Sequence, residues 1–176
     1  MYKLFLPAIL LAFSSGAMAA DLPNRSITPG AADPRVTQEN IHETICRPYV
    51  KGQLSWSKQN RPPLEYTNRL KMAQIQQYGY ADTDPRHYEQ DHLEPISVGG
   101  SPTDPKNEWP EPRTTVTQWG AEKKDALEWA MYKAVCNGDI SLADAQSAFS
   151  TNWIKAYQQY ENTLISKYPN PYQAGE

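Results

Sequence analysis

The sequence contains few residues of several kinds: two cysteines, three histidines and nine glycines in 176 residues. Two thiols cannot form a structural zinc site without at least two further ligands, and the histidines are not spaced to supply them. The formal charge of −3 excludes a protein that coats nucleic acid through its overall charge, so any anion-binding surface must be local. The composition also excludes fibrous, low-complexity and multi-span membrane proteins.

Aromatic residues are what the sequence has in quantity. Only 39% of the residues are hydrophobic, but 11% are aromatic, including five tryptophans and eleven tyrosines. Such rings can supply a core with large buried faces. Because a chain of this length usually forms one core, the sequence predicts a single domain.

The first twenty residues have the pattern of a secretory signal peptide. Lys3 supplies one positive charge, residues 4–13 form an apolar run, and Ala17 and Ala19 fit the small-residue cleavage positions. An uncleaved membrane anchor is the alternative, but the run is shorter than the about 20 residues that a span needs. The sequence therefore predicts removal of residues 1–19 and export of a mature protein, periplasmic or secreted, without membrane attachment.

Export changes the interpretation of the two cysteines. Cys46 and Cys136 are 90 residues apart in the sequence. In an oxidising compartment the simplest prediction is a disulfide between them, which closes a long loop and contributes about 4 kcal/mol. Two separate buried thiols are the alternative.

The mature chain divides into segments of different composition. Residues 20–35 are rich in proline and glycine and predict an extended arm, whereas residues 36–176 predict one domain. Residues 73–112 are acidic and rich in turns, and they allow at most short strands at 87–92 and around 96–98. The C-terminal third has helical periodicity interrupted by one short turn, which predicts an antiparallel helical hairpin.

The basic part of the chain is residues 47–71. It has six basic residues against one acid, with three aromatic rings among them: Arg47, Lys51, Lys58, Arg61, Arg69 and Lys71, with Tyr49, Trp56 and Tyr66. Cations of this kind bind phosphates, and aromatic rings can stack on unpaired bases, so the segment favours a polyanion as partner. An ordinary solvated surface whose aromatic rings belong to the core is the alternative.

The most informative segment surrounds one Asp-His pair. Its elements, in chain order, are Asp91-His92, Pro95, Gly99-Gly100 and Asn107, which precedes the next predicted helix. Neighbours on a strand point to opposite faces, so both members of the pair reach one site only where the strand ends or bends. Pro95 supplies such an end.

These elements resemble the HNH, or ββα-metal, endonuclease family. The resemblance extends over residues 28–160 to small exported bacterial HNH-like proteins, through Thr28-Pro29-Gly30, Tyr88-Glu89-x-Asp91-His92-Leu93, Gly99-Gly100, Asn107-x-Trp109-Pro110, Lys124-Asp125-x-Leu127-Glu128 and Ala145-Gln146. It implies an α+β fold with a ββα-metal core, here a short antiparallel hairpin with a C-terminal helical hairpin. It also implies hydrolysis of phosphodiester bonds in DNA or RNA.

The resemblance implies roles for the central residues that make chemical sense. Hydrolysis needs an activated water, and a neutral histidine can remove the water's proton at working pH, which makes His92 the predicted general base. By the family pattern Asp91 and Asn107 are catalytic residues that bind a divalent metal through oxygen, the ligand type that Mg²⁺ prefers. The alternative role for Asn107 is to fix the hairpin through hydrogen bonds to backbone.

The chain departs from many relatives because no histidine follows His92. This difference favours Mg²⁺, or Mn²⁺, at an oxygen site and argues against Zn²⁺. Asp125 is a further candidate metal ligand, with a cap or ion-pair role as the alternative. Arg113 and Lys124 are the predicted phosphate-binding residues.

The sequence therefore predicts an exported, monomeric, metal-dependent endonuclease that cleaves DNA or RNA with little sequence specificity. Nucleic acid is the predicted partner, and an inhibitor protein would be a second one. The alternative is a non-catalytic exported module that uses an HNH-like scaffold to bind a polyanion or a protein. A hydrolase acting on a cell-wall polymer is disfavoured, since no serine stands in a nucleophile-elbow motif.

Overall fold

The computed structural model describes residues 20–172, so the predicted signal peptide lies outside the described residues. The chain combines helices with one two-stranded sheet, which confirms the predicted α+β class. The main elements, in chain order, are α1 Trp56–Asn60, α2 Leu64–Tyr78, β1 Tyr88–His92, β2 Glu108–Pro112, α3 Ala121–Cys136 and α4 Leu142–Tyr160. None of the helices between residues 20 and 172 has the length and apolar character that crossing a bilayer requires.

The two strands form an antiparallel hairpin in which Asp91 lies opposite Trp109, and His92 lies opposite Glu108. Strand β2 begins directly after Asn107, where the sequence predicts no strand, and the helix that follows, α3, begins only at Ala121. The segment Glu-Trp-Pro-Glu-Pro hides the strand, because proline is normally confined to strand edges and the acids obscure the apolar pattern. All five of its residues are nevertheless buried.

The strand predicted around residues 96–98 is also wrong. These residues form a 3₁₀ turn, Ile96–Val98, that ends at Gly99 with a φ of +81°. A short run between a proline and a glycine pair is compatible with a strand or a turn, and here the left-handed Gly99 closes a turn. Another 3₁₀ turn, Pro85–His87, precedes β1.

The helix ends follow local chemistry. Helix α2 ends at Gly79, whose φ of +67° provides the left-handed C-cap. The side chain of Ser141 accepts a hydrogen bond from the backbone N–H of Asp144, at 3.1 Å, and starts α4. Helix α4 is kinked at Asn152, where φ is −167° and ψ is 96°, and a π-helical turn, Glu161–Ile165, follows it.

The main core forms where α3, α4 and residues 36–45, which precede Cys46, pack together. Its buried residues include Leu127, Met131, Val135, Phe149 and Trp153 from the helices, with Val36, Ile41 and Ile45 from the N-terminal side. Cys46 and Cys136 form the predicted disulfide, with Cα atoms 5.3 Å apart. The covalent link therefore fastens residues 36–46 to the end of α3.

A smaller apolar cluster attaches the hairpin to α2. Ile75 packs against Tyr80 and Tyr88, and the two tyrosine rings are stacked with centroids 5.2 Å apart. Strand β1 also contacts α3. The hairpin is therefore held between α2 and α3, with the Asp-His pair at the end of β1.

Candidate functional site

The candidate site lies where β1 ends and the chain turns into the loop that leads to β2. Asp91 and His92 are 7% and 3% exposed, respectively. As neighbours on a strand they point in different directions: Asp91 contacts α3, and His92 contacts the loop at Pro102. The two side chains therefore have different partners and different chemistry.

His92 is held in one tautomer by the backbone. Its Nε2 lies 3.1 Å from the carbonyl oxygen of Pro102. Because a carbonyl only accepts, Nε2 must carry the hydrogen and donate it, which leaves Nδ1 as the basic nitrogen of the neutral ring. Burial lowers the pKa of His92, and the negative charge of Asp91 opposes this effect only in part. The ring is therefore neutral and able to accept a proton at neutral pH.

Lys124 is the centre of the contacts made by Asp91. Its Nζ lies 2.6 Å from Asp91 Oδ2 and 2.8 Å from the carbonyl oxygen of His92. It also contacts the carboxylate of Glu128 and lies 3.7 Å from Glu111 Oε2. The lysine side chain is completely buried, so the predicted phosphate-binding role of Lys124 disagrees with the structure.

The charges in this cluster control one another. Burial alone would raise the pKa of Asp91, but the ammonium of Lys124 outweighs it and lowers that pKa. Burial likewise opposes the charge on Lys124, and the surrounding carboxylates raise the pKa of Lys124 well above its usual value. Burial raises the pKa of Glu111 well above its ordinary range, and the positive charge of Lys124 opposes this effect only in part. Both carboxyl oxygens of Glu111 are buried without a hydrogen-bond partner among the residues that the structure describes, and the Lys124 ammonium lies 3.7 Å from Oε2.

Asn107 is fully buried and uses its whole amide group on backbone. Its Oδ1 accepts hydrogen bonds from the N–H groups of Glu94, at 2.9 Å, and Ala31, at 3.3 Å. Its Nδ2 donates to the carbonyl oxygens of Glu94 and Ser101, both at 2.9 Å. These contacts favour the alternative role of Asn107, which is to fix the loop between the strands.

The N-terminal arm completes this loop. Ala32 pairs with Gly100 in an antiparallel bridge, and the N–H of Ser101 donates to the carbonyl oxygen of Ala31 at 2.7 Å. A Cβ atom at Gly100 would lie 1.7 Å from the carbonyl oxygen of Glu94, so only glycine allows this close packing. The Gly-Gly pair thus lets the arm seal the loop that holds His92.

The predicted metal ligands do not come together as a metal site. One oxygen of Asp91 bonds the Lys124 ammonium, and the amide oxygen of Asn107 already accepts two N–H groups. Asp125 is half-buried, and burial followed by the charge of Asp91 raises its pKa to about 7. Within residues 20–172, no three His, Cys, Asp or Glu side chains are placed to hold a metal ion together. The residues present therefore do not fit the Asp91–Asn107 metal site.

Arg113 is near the site but is already paired. Its Nη1 lies 3.1 Å from Glu89 Oε2 and 3.1 Å from Glu122 Oε1. Such a double ion pair leaves the guanidinium partly exposed and largely neutralised. A phosphate would have to compete with two carboxylates at the predicted Arg113 position.

Arg61 is a site residue that sequence reasoning counted among the basic residues without placing it. It is exposed, and its positive charge acts on Glu89, His92 and Glu108. In the part of the chain that the structure describes, its guanidinium takes part in no salt bridge. Pro62 accounts for the non-helical backbone of Arg61, with φ −59° and ψ 130°, but it does not place the side chain beside His92.

Comparison with known proteins adds no relative to this picture. Neither the family models nor the curated proteins nor the solved structures contain a match to this chain.

Proposed function

We propose that this chain is an exported phosphodiesterase that cleaves nucleic acid with His92 as the general base. The observation that carries the proposal is the hydrogen bond from Nε2 to the carbonyl oxygen of Pro102, because it fixes Nδ1 as the basic nitrogen. A ring kept neutral by burial can take the proton of an attacking water. The order β1, β2, α3 around the Asp-His pair supports a ββα core of the HNH type.

The proposed step uses only a few side chains. Nδ1 of His92 accepts a proton as the water oxygen attacks phosphorus, and the lowered basicity suits a base that works near neutral pH. Arg61 is exposed, and its positive charge acts on His92. We therefore assign Arg61 the role of binding the phosphate and neutralising its negative charge. Because one oxygen of Asp91 bonds Lys124 and the amide oxygen of Asn107 accepts two N–H groups, dependence on Mg²⁺ stays a prediction from the sequence.

The exposed residues 49–54, which precede Arg61 in the chain, support single-stranded nucleic acid as the substrate. Tyr49 is 84% exposed, and Val50 and Leu54 beside it are also exposed. Lys51 lies between them and is exposed as well. An exposed ring among cations can stack on a base while the cations bind the backbone phosphates, which requires bases that are free of a duplex.

The test is a cleavage assay with a matched histidine variant. Mature protein is incubated with single-stranded DNA, RNA and plasmid, each with EDTA, Mg²⁺ or Mn²⁺. We expect His92→Ala to lower the cleavage rate by about 10²–10⁴-fold, the usual contribution of a general base. His87→Ala is the control, since this exposed histidine pairs with Asp82 instead of the loop, and its rate should equal that of the wild type. Equal rates for wild type and His92→Ala would disprove the assignment.

A second candidate function is binding without catalysis. The observation that favours it is the 3% exposure of His92 together with the neutralisation of Asp91 by Lys124, which leaves little reactive surface. The exposed basic segment would then bind a polyanion on an inert scaffold. Binding of oligonucleotides without cleavage in any of the three ionic conditions would favour this candidate.

A further inference from the structure

The cation beside Asp91 belongs to the protein itself. Lys124 Nζ has oxygen neighbours from three elements: Asp91 Oδ2 and the carbonyl oxygen of His92 on β1, Glu128 on α3, and Glu111 on β2. An ammonium has three hydrogens to donate, and three of these oxygens lie within hydrogen-bond distance. The donor capacity of the lysine is therefore fully used inside the cluster.

A divalent ion and this ammonium compete for the same carboxylate. Mg²⁺ needs six oxygen ligands at about 2.0–2.1 Å in a near-octahedral arrangement. Asp91 Oδ2 is already 2.6 Å from Lys124 Nζ, and two cations that share one buried carboxylate repel each other strongly. Asn107 adds no free oxygen, because its Oδ1 accepts two backbone N–H groups.

We infer that the ammonium of Lys124 is the resident cation of Asp91 and stands where a divalent metal would have to bind. With the lysine in place the described carboxyl groups hold no metal ion, and without it Asp91, Glu111 and Glu128 would form a latent oxygen site. Lys124 and Glu128 are one helical turn apart, so the same face of α3 supplies the cation and one of its anions. Removing the lysine side chain leaves the three carboxyl groups around an empty volume. This inference stands on the cluster alone and is independent of whether the chain cleaves nucleic acid.

The experiment is a titration with Mn²⁺, used as the probe, by calorimetry on metal-stripped mature protein. The variants are Lys124→Ala, the double variant Asp91→Asn with Lys124→Ala, and the control Lys123→Ala. Lys123 carries the same charge one residue away, but its Nζ lies over the Trp119 ring, 4.5 Å from the centroid. We expect no site-specific binding by wild type or Lys123→Ala up to millimolar Mn²⁺. Lys124→Ala should bind at least about tenfold more tightly, and the double variant should lose this gain.

Two outcomes would overturn the inference. Tight Mn²⁺ binding by the wild type that disappears in Asp91→Asn would show that the lysine does not exclude metal. A folded Lys124→Ala variant that binds no better than wild type would show that the latent site does not exist. If Lys124→Ala unfolds without metal, circular dichroism with and without Mn²⁺ decides: recovery of helix supports the inference, and continued unfolding with Mn²⁺ present overturns it.

Discussion

Two regions of this molecule hold positive charge in opposite ways. In residues 47–61 the cations Lys51, Lys58 and Arg61 are exposed, and the neighbouring Tyr49 ring is exposed as well. At the hairpin, Lys124 is completely buried and its charge is met by surrounding carboxylates. An exposed cation gains little from a nearby anion because water screens it, whereas a buried cation depends entirely on its partners.

This contrast separates recognition from architecture. Exposed cations remain free to meet an incoming anion, and losing one changes binding more than stability. A buried cation that bonds two elements fixes their relative position, and losing it leaves an unpaired charge inside the protein. The same residue type therefore predicts different phenotypes in the two regions, and matched substitutions can show whether the division is real.

The largest expected effect comes from replacing the buried cation. Lys124→Met removes the partner of Asp91 and should lower the free energy of unfolding by about 3–5 kcal/mol. Lys123→Met, the control, loses contacts between its ammonium and the Trp119 and Tyr157 rings, worth about 0.5–1 kcal/mol each. Urea denaturation at pH 7 measures both, and equal losses in the two variants would contradict the division.

The same variant has a signature in acid. Because Lys124 lowers the pKa of Asp91 below its ordinary 3.8, the pair stabilises the fold above that pH. This stabilisation is lost as the pH falls through the lowered folded-state pKa of Asp91. The free energy of unfolding, measured at several pH values between 2 and 5, should therefore depend less on pH for Lys124→Met than for wild type. If the free energy of unfolding fell as steeply with decreasing pH in the variant as in wild type, the ion pair would not be what lowers the pKa of Asp91.

The role of Lys124 could have been read in part from helical spacing. Lys124 lies three residues before Leu127 and seven before Met131, on the stripe of α3 that is buried. A lysine on such a stripe normally marks its end, because lysine is almost never fully buried unless it is paired. The partner, Asp91, is 33 residues away in the sequence. No local pattern reports a pairing that only the packing of β1 on α3 creates.

Local signals predicted other features well. The C-terminal end of α2 and the start of α4 follow from a glycine and a serine cap, and export predicted the disulfide between Cys46 and Cys136. Strand β2 was missed because its prolines and acids mask the alternation of a strand. The sequence identified Asn107 as a key residue but left open whether it is a metal ligand or a loop anchor. The answer depends on the positions of four backbone groups, which belong to Ala31, Glu94 and Ser101.

An intermediate loss of stability is expected on substitution of Asn107. This residue is polar and buried but uncharged, so its loss separates the effect of burial from the effect of charge. Asn107→Ala leaves buried backbone groups of Glu94 and Ser101 without partners and should cost about 2–3 kcal/mol of stability. Asn170→Ala is the control, because the Asn170 amide makes only two hydrogen bonds within residues 20–172. It donates to the carbonyl oxygen of Asp125 at 3.4 Å and accepts from the N–H of Tyr172 at 3.1 Å. Thermal unfolding with and without Mg²⁺ measures the difference. A stability loss for Asn107→Ala that appears only with Mg²⁺ would restore the ligand role.

The smallest effect on stability, and the one confined to binding, is expected at Tyr49. The ring is 84% exposed, so Tyr49→Ser should leave the free energy of unfolding within about 0.5 kcal/mol of wild type. If Tyr49 stacks on a base, its loss should weaken binding of a single-stranded oligonucleotide by about 1 kcal/mol, roughly fivefold, and leave duplex binding unchanged. Tyr172→Ser is the matched control, since Tyr172 is 86% exposed and lies against the Trp129 ring on α3. Fluorescence anisotropy at two salt concentrations separates the ring from the cations, because only the cations make affinity depend on salt. If the two serine variants lost oligonucleotide affinity equally, Tyr49 would not be the base-stacking residue, and recognition would lie elsewhere on the surface. The exposed and buried regions would then differ in their effect on stability but not on binding.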